Sequence, residues 1–89
     1  MMIGRRLYVP EGKRISDVSF AAGDYCKDPA DGSWHCRPPK GPLGRLSSHT
    51  VVEHEDETIT VSPSILYAWE NEDDLIIWHG YLEHGVWRG

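Results

Sequence analysis

The sequence predicts a mainly β domain: a small antiparallel sheet folded into a sandwich or partial barrel, with at most one short helix. Three observations predict it. Apolar residues recur mostly at every second position, the period of a half-buried strand. Val, Ile, Thr, Tyr and Trp gather in short runs, as pleated surfaces favour. Clusters of Pro, Gly, Asp and Ser punctuate those runs and suit tight turns. The chain has 89 residues, enough for one domain spanning 1–89. A chain this short hides only about 60–65% of its unfolded surface, so its core is thin. Four Trp and four Tyr against one Phe must then carry much of the burial.

The elements follow in order. Arg6-Leu7-Tyr8-Val9 is a short strand stopped by Pro10, and Pro10-Glu11-Gly12-Lys13 is a turn. Ile15, Val18 and Phe20 form a strand or an irregular segment, closed by Ala21-Ala22-Gly23. Tyr25–Lys27 and Ser33–Cys36 flank Asp28-Pro29-Ala30-Asp31-Gly32, a hairpin whose turn ends in a left-handed Gly. Residues 37–44 hold three Pro and two Gly and form a connecting loop. Thr50–His54 and Thr58–Val61 are β-branched runs around Glu55-Asp56-Glu57, the clearest hairpin in the chain.

Ser62-Pro63 suits a cap and first position of a helical turn running to Trp69, with Ile65, Leu66 and Trp69 on one face. Pro63 equally suits a strand edge, and the sequence leaves both readings open. Glu70–Asp74 is an acidic loop. Leu75–Leu82 is a strand, and Glu83-His84-Gly85 turns it as a three-residue loop into Val86-Trp87. On that strand Ile76, Trp78, Gly80 and Leu82 share one face; Leu75, Ile77, His79 and Tyr81 share the other. Both faces are apolar, and the Trp78 face is expected to be core.

Charge is uneven. The net charge of −5 argues against non-specific nucleic-acid binding. Residues 1–45 hold eight of the nine Lys and Arg, and residues 46–89 hold nine of the fourteen acids. Such asymmetry suits a two-faced surface, although charge runs mostly mark solvated turns. No run of 18 apolar residues exists, so no membrane partner is expected. No secretory pattern follows Met1, and two cysteines are too few for a disulfide scaffold. The expected location is the cytoplasm.

The segments His49–Asp56, Thr58–Ile65 and Trp78–Arg88 resemble a family of small proteins of bacteriophages and prophages. The Ser62-Pro63-Ser64-Ile65 segment and the Trp78-His79-Gly80-Tyr81-Leu82 strand, followed by Gly85-Val86-Trp87, carry the resemblance as a pair. They are similar, more distantly, to a larger group with the same Ser-Pro-Ser-Ile core. Neither group has an assigned biochemical function. The resemblance spans residues 23–89, the hairpin core, and covers the N-terminal strands in residues 1–22 least. It implies a phage or prophage origin and the β fold, and no reaction. Two departures stand out. Asp56-Glu57 replaces the family's Asp-Gly turn. The distant group's close Cys pair is absent, because Cys26 and Cys36 stand far apart along the chain.

No catalytic or cofactor motif stands out. There is no phosphate-binding loop, dinucleotide fingerprint or nucleophile elbow, so an enzyme is not expected and no cofactor is assigned. If neither strand is bulged, Cys26 and Cys36 share a hairpin face. A zinc site would then need two more ligands from His35, His49, His54, His79 and His84, at spacings that suit a metal poorly. His35 points away from Cys36, and His49 and His54 face opposite sides of an unbulged strand. A small zinc- or ligand-binding domain is the alternative reading; no metal ligands are assigned. The expected function is a non-catalytic protein-interaction module, an accessory factor that contacts a host protein, a phage protein or itself. Trp34, His79, Tyr81, Trp87 and Arg88 form the candidate surface, because Trp, Tyr and Arg anchor interfaces.

Overall fold

The computed structural model of the protein describes residues 1–70, 72 and 75–89, with the backbone alone at Ile76. Of the expected acidic loop, Asn71, Asp73 and Asp74 lie outside the described residues. Among the described residues nine strands form two sheets: β1 (Met2–Ile3), β2 (Arg5–Leu7), β3 (Asp24–Lys27), β4 (Trp34–Cys36), β5 (Gly44–Arg45), β6 (Thr50–Glu53), β7 (Ile59–Glu70), β8 (Leu75–Glu83) and β9 (Val86–Arg88). One sheet runs β1-β9-β8-β7-β6 and is antiparallel throughout. The other runs β2-β3-β4-β5. The mainly β class holds, and the two sheets pack as a small sandwich.

The chain changes sheets at Gly4, between β1 and β2. The Gly4 amide donates to the Gly85 carbonyl at 2.7 Å. A Cβ at Gly4 would lie 2.9 Å from the Gly23 carbonyl oxygen and 3.0 Å from that of Gly85, so only glycine passes. Strand β2 then pairs parallel to β3, with Arg6 opposite Tyr25. A parallel pair needs a crossover. Residues 8–23 supply it, with the expected turn at Pro10–Lys13 and one 3-10 turn at Ile15–Asp17. The weak alternation at Ile15–Phe20 is therefore irregular chain rather than strand.

The core lies between the sheets. Trp78 and Trp87 meet edge to face with ring centroids 5.5 Å apart. Around them pack Tyr25, Trp34, Cys36, Leu46, Ile59, Val61, Ile65 and Leu82. The Trp87 indole N–H donates to the Gly23 carbonyl at 2.9 Å, tying one sheet to the other. A second tie is ionic. The Arg6 guanidinium donates to Glu53 at 2.7 Å and to the Glu57 carbonyl at 3.0 Å. It lies 4.7 Å from the Tyr8 ring centroid and 4.9 Å from that of Trp34. Lys27 joins the same Glu53 at 3.6 Å.

Residues 62–69 are strand, which settles the reading the sequence left open. The register between β7 and β8 shifts between Val61 and Ile65, and Pro63 stands in that irregularity. Pro cannot donate to a ladder, and a bulge is where a strand tolerates it. Beyond the bulge Leu66 pairs with His79 and Trp69 with Ile76. A helix would have put Leu66 in the core; in the strand it is 65% exposed.

The hairpin turns differ in detail from expectation. Glu83 pairs with Val86, so β8 and β9 are joined by His84-Gly85 alone. Both residues have positive φ, 46° and 75°, as a two-residue primed turn requires. In the β6–β7 loop Glu57 has φ 71°, a left-handed conformation costly for a residue with a Cβ. Glu57→Gly is expected to raise stability by about 0.5–1 kcal/mol, read as a higher urea midpoint at unchanged slope. A lower midpoint would show that the Glu57 side chain contributes more than its backbone costs.

Candidate interaction surface

The β7–β8 hairpin has an inner and an outer face. The inner row carries Ile65, Tyr67, Trp69, Trp78 and Leu82. The Pro-rich segment 37–44 closes over it. Pro38 is fully buried. Gly41, at φ 126°, stands so close to Trp69 that a Cβ there would lie 2.9 Å from the indole. The Tyr67 hydroxyl occupies the space a Gly44 side chain would need. This loop is more than a connector: its glycines let it seat on two aromatic rings.

The outer row has no such cover among the described residues. Leu66 is 65% exposed, Leu75 61%, Ile77 59% and Tyr81 48%. Ala68 and His79 are exposed among them. Leu66 lies opposite His79, Ala68 opposite Ile77, and Glu70 opposite Leu75. Tyr81 lies opposite Arg88 of β9. The result is an apolar stripe about 20 Å long, bounded by Glu70 and Glu72 at the hairpin tip and by Arg88 and Glu83 at its base. Apolar side chains scattered singly on a surface mean little; these form a contiguous run.

The hairpin also extends past its neighbours. Strand β6 pairs with β7 only at residues 59–62, and β9 pairs with β8 only at residues 81–83. Residues 65–70 and 75–80 therefore pair in the ladder only with each other. A two-stranded projection of this sort offers its outer face and its edges to a partner.

Of the five residues singled out from sequence, the structure brings three together. His79, Tyr81 and Arg88 share the outer face. The His79 and Tyr81 rings lie 6.1 Å apart, and His79 Nε2 is 2.8 Å from the Ser64 hydroxyl. Trp34 and Trp87 are corrections, being 8% and 1% exposed. Trp34 lies inward on β4 beneath Arg6 and Lys27, and Trp87 fills the core against Trp78. A thin core recruits its largest rings first. Sequence reasoning missed Leu66, Leu75 and Ile77. The odd-numbered row of β8 was a signal for two of them, since an apolar row opposite the core row needs its own explanation.

The cysteines are also corrected. Tyr25 pairs with Cys36 and Cys26 with His35, so the two thiols lie on opposite faces of the β3–β4 ladder. Residues 28–33 separate the last pair, Lys27 and Trp34, and an even loop length places positions 26 and 36 out of phase. They cannot share an ion, and the zinc alternative loses its central pair. Among the described residues no group of three or more His, Cys, Asp or Glu is arranged to hold a metal. Burial pushes the Cys36 thiol up to about 12, and burial raises Cys26 as well. Neither is an activated nucleophile. His54 and His84 stack with ring centroids 3.9 Å apart, and His54 Nε2 is 2.7 Å from the Thr60 hydroxyl. His49 Nε2 is 3.2 Å from the Ser64 carbonyl oxygen, and its Nδ1 is buried without a hydrogen-bond partner.

A groove of about 500 Å³ lies elsewhere, lined by Leu7, Tyr8, Pro10, Lys13, Asp17, Val18 and Ser19. Asp17 already accepts the Arg14 amide at 2.9 Å.

Carboxylates hold the loops. Asp31 and Asp56 accept from Ser33 and Thr58, and Glu53 accepts from Arg6; these bonds lower all three acids below their ordinary values. A lowered folded-state value adds stability above the unfolded value, near pH 4, and loses it as pH falls through the folded value. The urea midpoint is expected to drop steadily below about pH 4, and Glu53→Gln to flatten part of that slope. An unchanged midpoint down to pH 2.5 would contradict these assignments.

The fold and surface define a small two-sheet β module that presents an uncovered apolar hairpin face. Comparison with protein-family models, curated proteins and solved structures finds no match. No helix among the described residues is long and apolar enough to cross a membrane, which says nothing of a β-barrel.

Proposed function

We propose that this protein is a non-catalytic protein-interaction module that binds through the outer face of the β7–β8 hairpin. One observation carries the reading: Leu66, Leu75, Ile77 and Tyr81 form a contiguous exposed apolar stripe on strands that project beyond their sheet. Nothing among the described residues covers that surface, and apolar area left in water is costly unless a partner takes it up. The polar neighbours Arg88 and Glu70 supply the rim an interface needs. The phage or prophage origin implied by the resemblance fits a small accessory factor acting on a host or phage protein in the cytoplasm.

The test is a photo-crosslinking residue placed at Ile77, with the same residue at Lys13 as control, in bacterial cells expressing the chain. A polypeptide adduct is expected at position 77 and not at 13. It should disappear when Leu66 and Tyr81 are changed to Glu and Ala, exposed positions at which the fold survives. Absence of any adduct at 77 would overturn the reading.

A further inference from the structure

We propose that the partner of this face is a basic amphipathic helix of another protein, laid lengthwise along the β7–β8 hairpin. The inference rests on the interaction reading above and adds the chemistry of the partner.

Charge selects the partner. Among the described residues, exposed Glu70 and Glu72 border the stripe at the tip, and exposed Glu83 closes it at the base. Glu83 shares the outer row of β8 with Ile77, His79 and Tyr81, because alternate residues of a strand share a face. The loop between β6 and β7 adds exposed Glu55 and Asp56 near the base, where His54 stacks on His84 of the β8–β9 turn. Against these carboxylates stands one cation on the stripe among the described residues, Arg88 opposite Tyr81. An apolar face that is acidic at both ends attracts a segment whose apolar row is flanked by Lys and Arg. The same acids repel a nucleic-acid backbone or an anionic lipid surface. A second copy is disfavoured as well, because it would bring acidic ends onto acidic ends.

Shape selects the helix. Toward the tip the stripe lies on two strands alone, a ribbon about 10 Å wide. A helix is roughly 10–12 Å across, so one helix covers the ribbon. Along about 20 Å of stripe it needs about 13 residues, with an apolar row set on Leu66, Leu75, Ile77 and Tyr81. Its own backbone bonds are made internally, so it needs only the face. A strand added at the hairpin edge would pair with backbone and leave those four side chains in water. They offer on the order of 400–500 Å², roughly half of one partner's share in a standard stable interface. Binding is therefore reversible, in the micromolar range, and weakens with salt.

Fluorescence polarisation with two helical peptides of about 16 residues tests the proposal. Both carry the same Leu row; one has Lys along its margins and the other Glu. The Lys peptide is expected to bind in the micromolar range, and the Glu peptide at least about tenfold more weakly. Ile77→Asp, shown to be folded by circular dichroism, should abolish binding. Glu70→Lys, Glu72→Lys and Glu83→Lys together, all at exposed positions, should reverse the preference between the peptides. Equal affinities, or a preference that does not reverse, would overturn the basic partner. Tighter binding of an extended peptide with alternating Lys and Val would overturn the helix. A dimer in sedimentation equilibrium that Ile77→Asp abolishes would overturn the proposal in favour of a second copy. If neither peptide binds while the Ile77 crosslink captures a polypeptide, this inference falls and the interaction reading stands; no binding and no adduct overturns both.

Discussion

Trp87→Ala is expected to remove about half of the stability of the fold and to lower the urea midpoint accordingly. Trp87 is 1% exposed, meets Trp78 edge to face, and donates its indole N–H to Gly23 across the two sheets. Removing so large a ring from a packed site costs about 3–5 kcal/mol, through lost burial and the cavity left behind. A domain of this size has about 5–10 kcal/mol in total. The Gly23 carbonyl would keep only the longer bond from the Arg5 amide, at 3.3 Å. Trp87→Phe separates the two contributions: it keeps most of the ring and loses the hydrogen bond, and should cost about 1–2 kcal/mol. Urea unfolding followed by far-ultraviolet circular dichroism reads both. A Trp87→Ala midpoint within about 1 kcal/mol of the parent would show that the sheets do not depend on this ring.

Arg6→Ala is the second large effect, expected at about 2–4 kcal/mol. The Arg6 side chain is only 12% exposed, while its partner Glu53 is 41% exposed. The buried member thus carries most of the cost, and Glu53 recovers water when left alone. Alanine removes three things at once: the bond to Glu53, the bond to the Glu57 carbonyl, and the stacking on Tyr8 and Trp34. The Arg6 Nε–H is buried without a hydrogen-bond partner, which already detracts from the clamp. Arg6→Met should therefore cost less than Arg6→Ala, since it refills the slot between the rings. A double-mutant cycle with Glu53→Gln isolates the ion pair, with a coupling of about 1 kcal/mol that declines in high salt. A coupling near zero would assign the whole effect of Arg6 to packing.

These two contacts show where sequence reasoning reached its limit. Both join residues far apart in the chain, one from each half. The charge asymmetry read as a two-faced surface or as solvated turns, whereas Arg6 and Lys27 of the basic half meet Glu53 of the acidic half inside the fold. No local rule selects Arg6 among eight cations, because the selection is made by which strand lies over which.

The candidate site was half legible for the same reason. Alternation along Leu75–Leu82 separates a Trp78 row from a Tyr81 row whatever the fold, since a strand has a period of two. His79 and Tyr81 followed from that. The status of Leu66 did not, because a strand and a helical turn were both compatible with Ser62–Trp69. Trp34 and Trp87 were misread because aromatic residues serve interfaces and cores alike.

The sequence by itself determined the mainly β class, most strands, the left-handed turn at Gly32, the core row of β8 and the want of a catalytic motif. These depend on short-range preferences: side-chain alternation, β-branching and the φ freedom of glycine. Only the tertiary structure decided the division into two sheets, the parallel β2–β3 pair, the opposite facing of Cys26 and Cys36, and the exposure of the outer stripe. Each of these turns on register or on what covers a face. Register is a property of two strands at once, and cover is supplied by residues distant in sequence, so neither is written in any one segment.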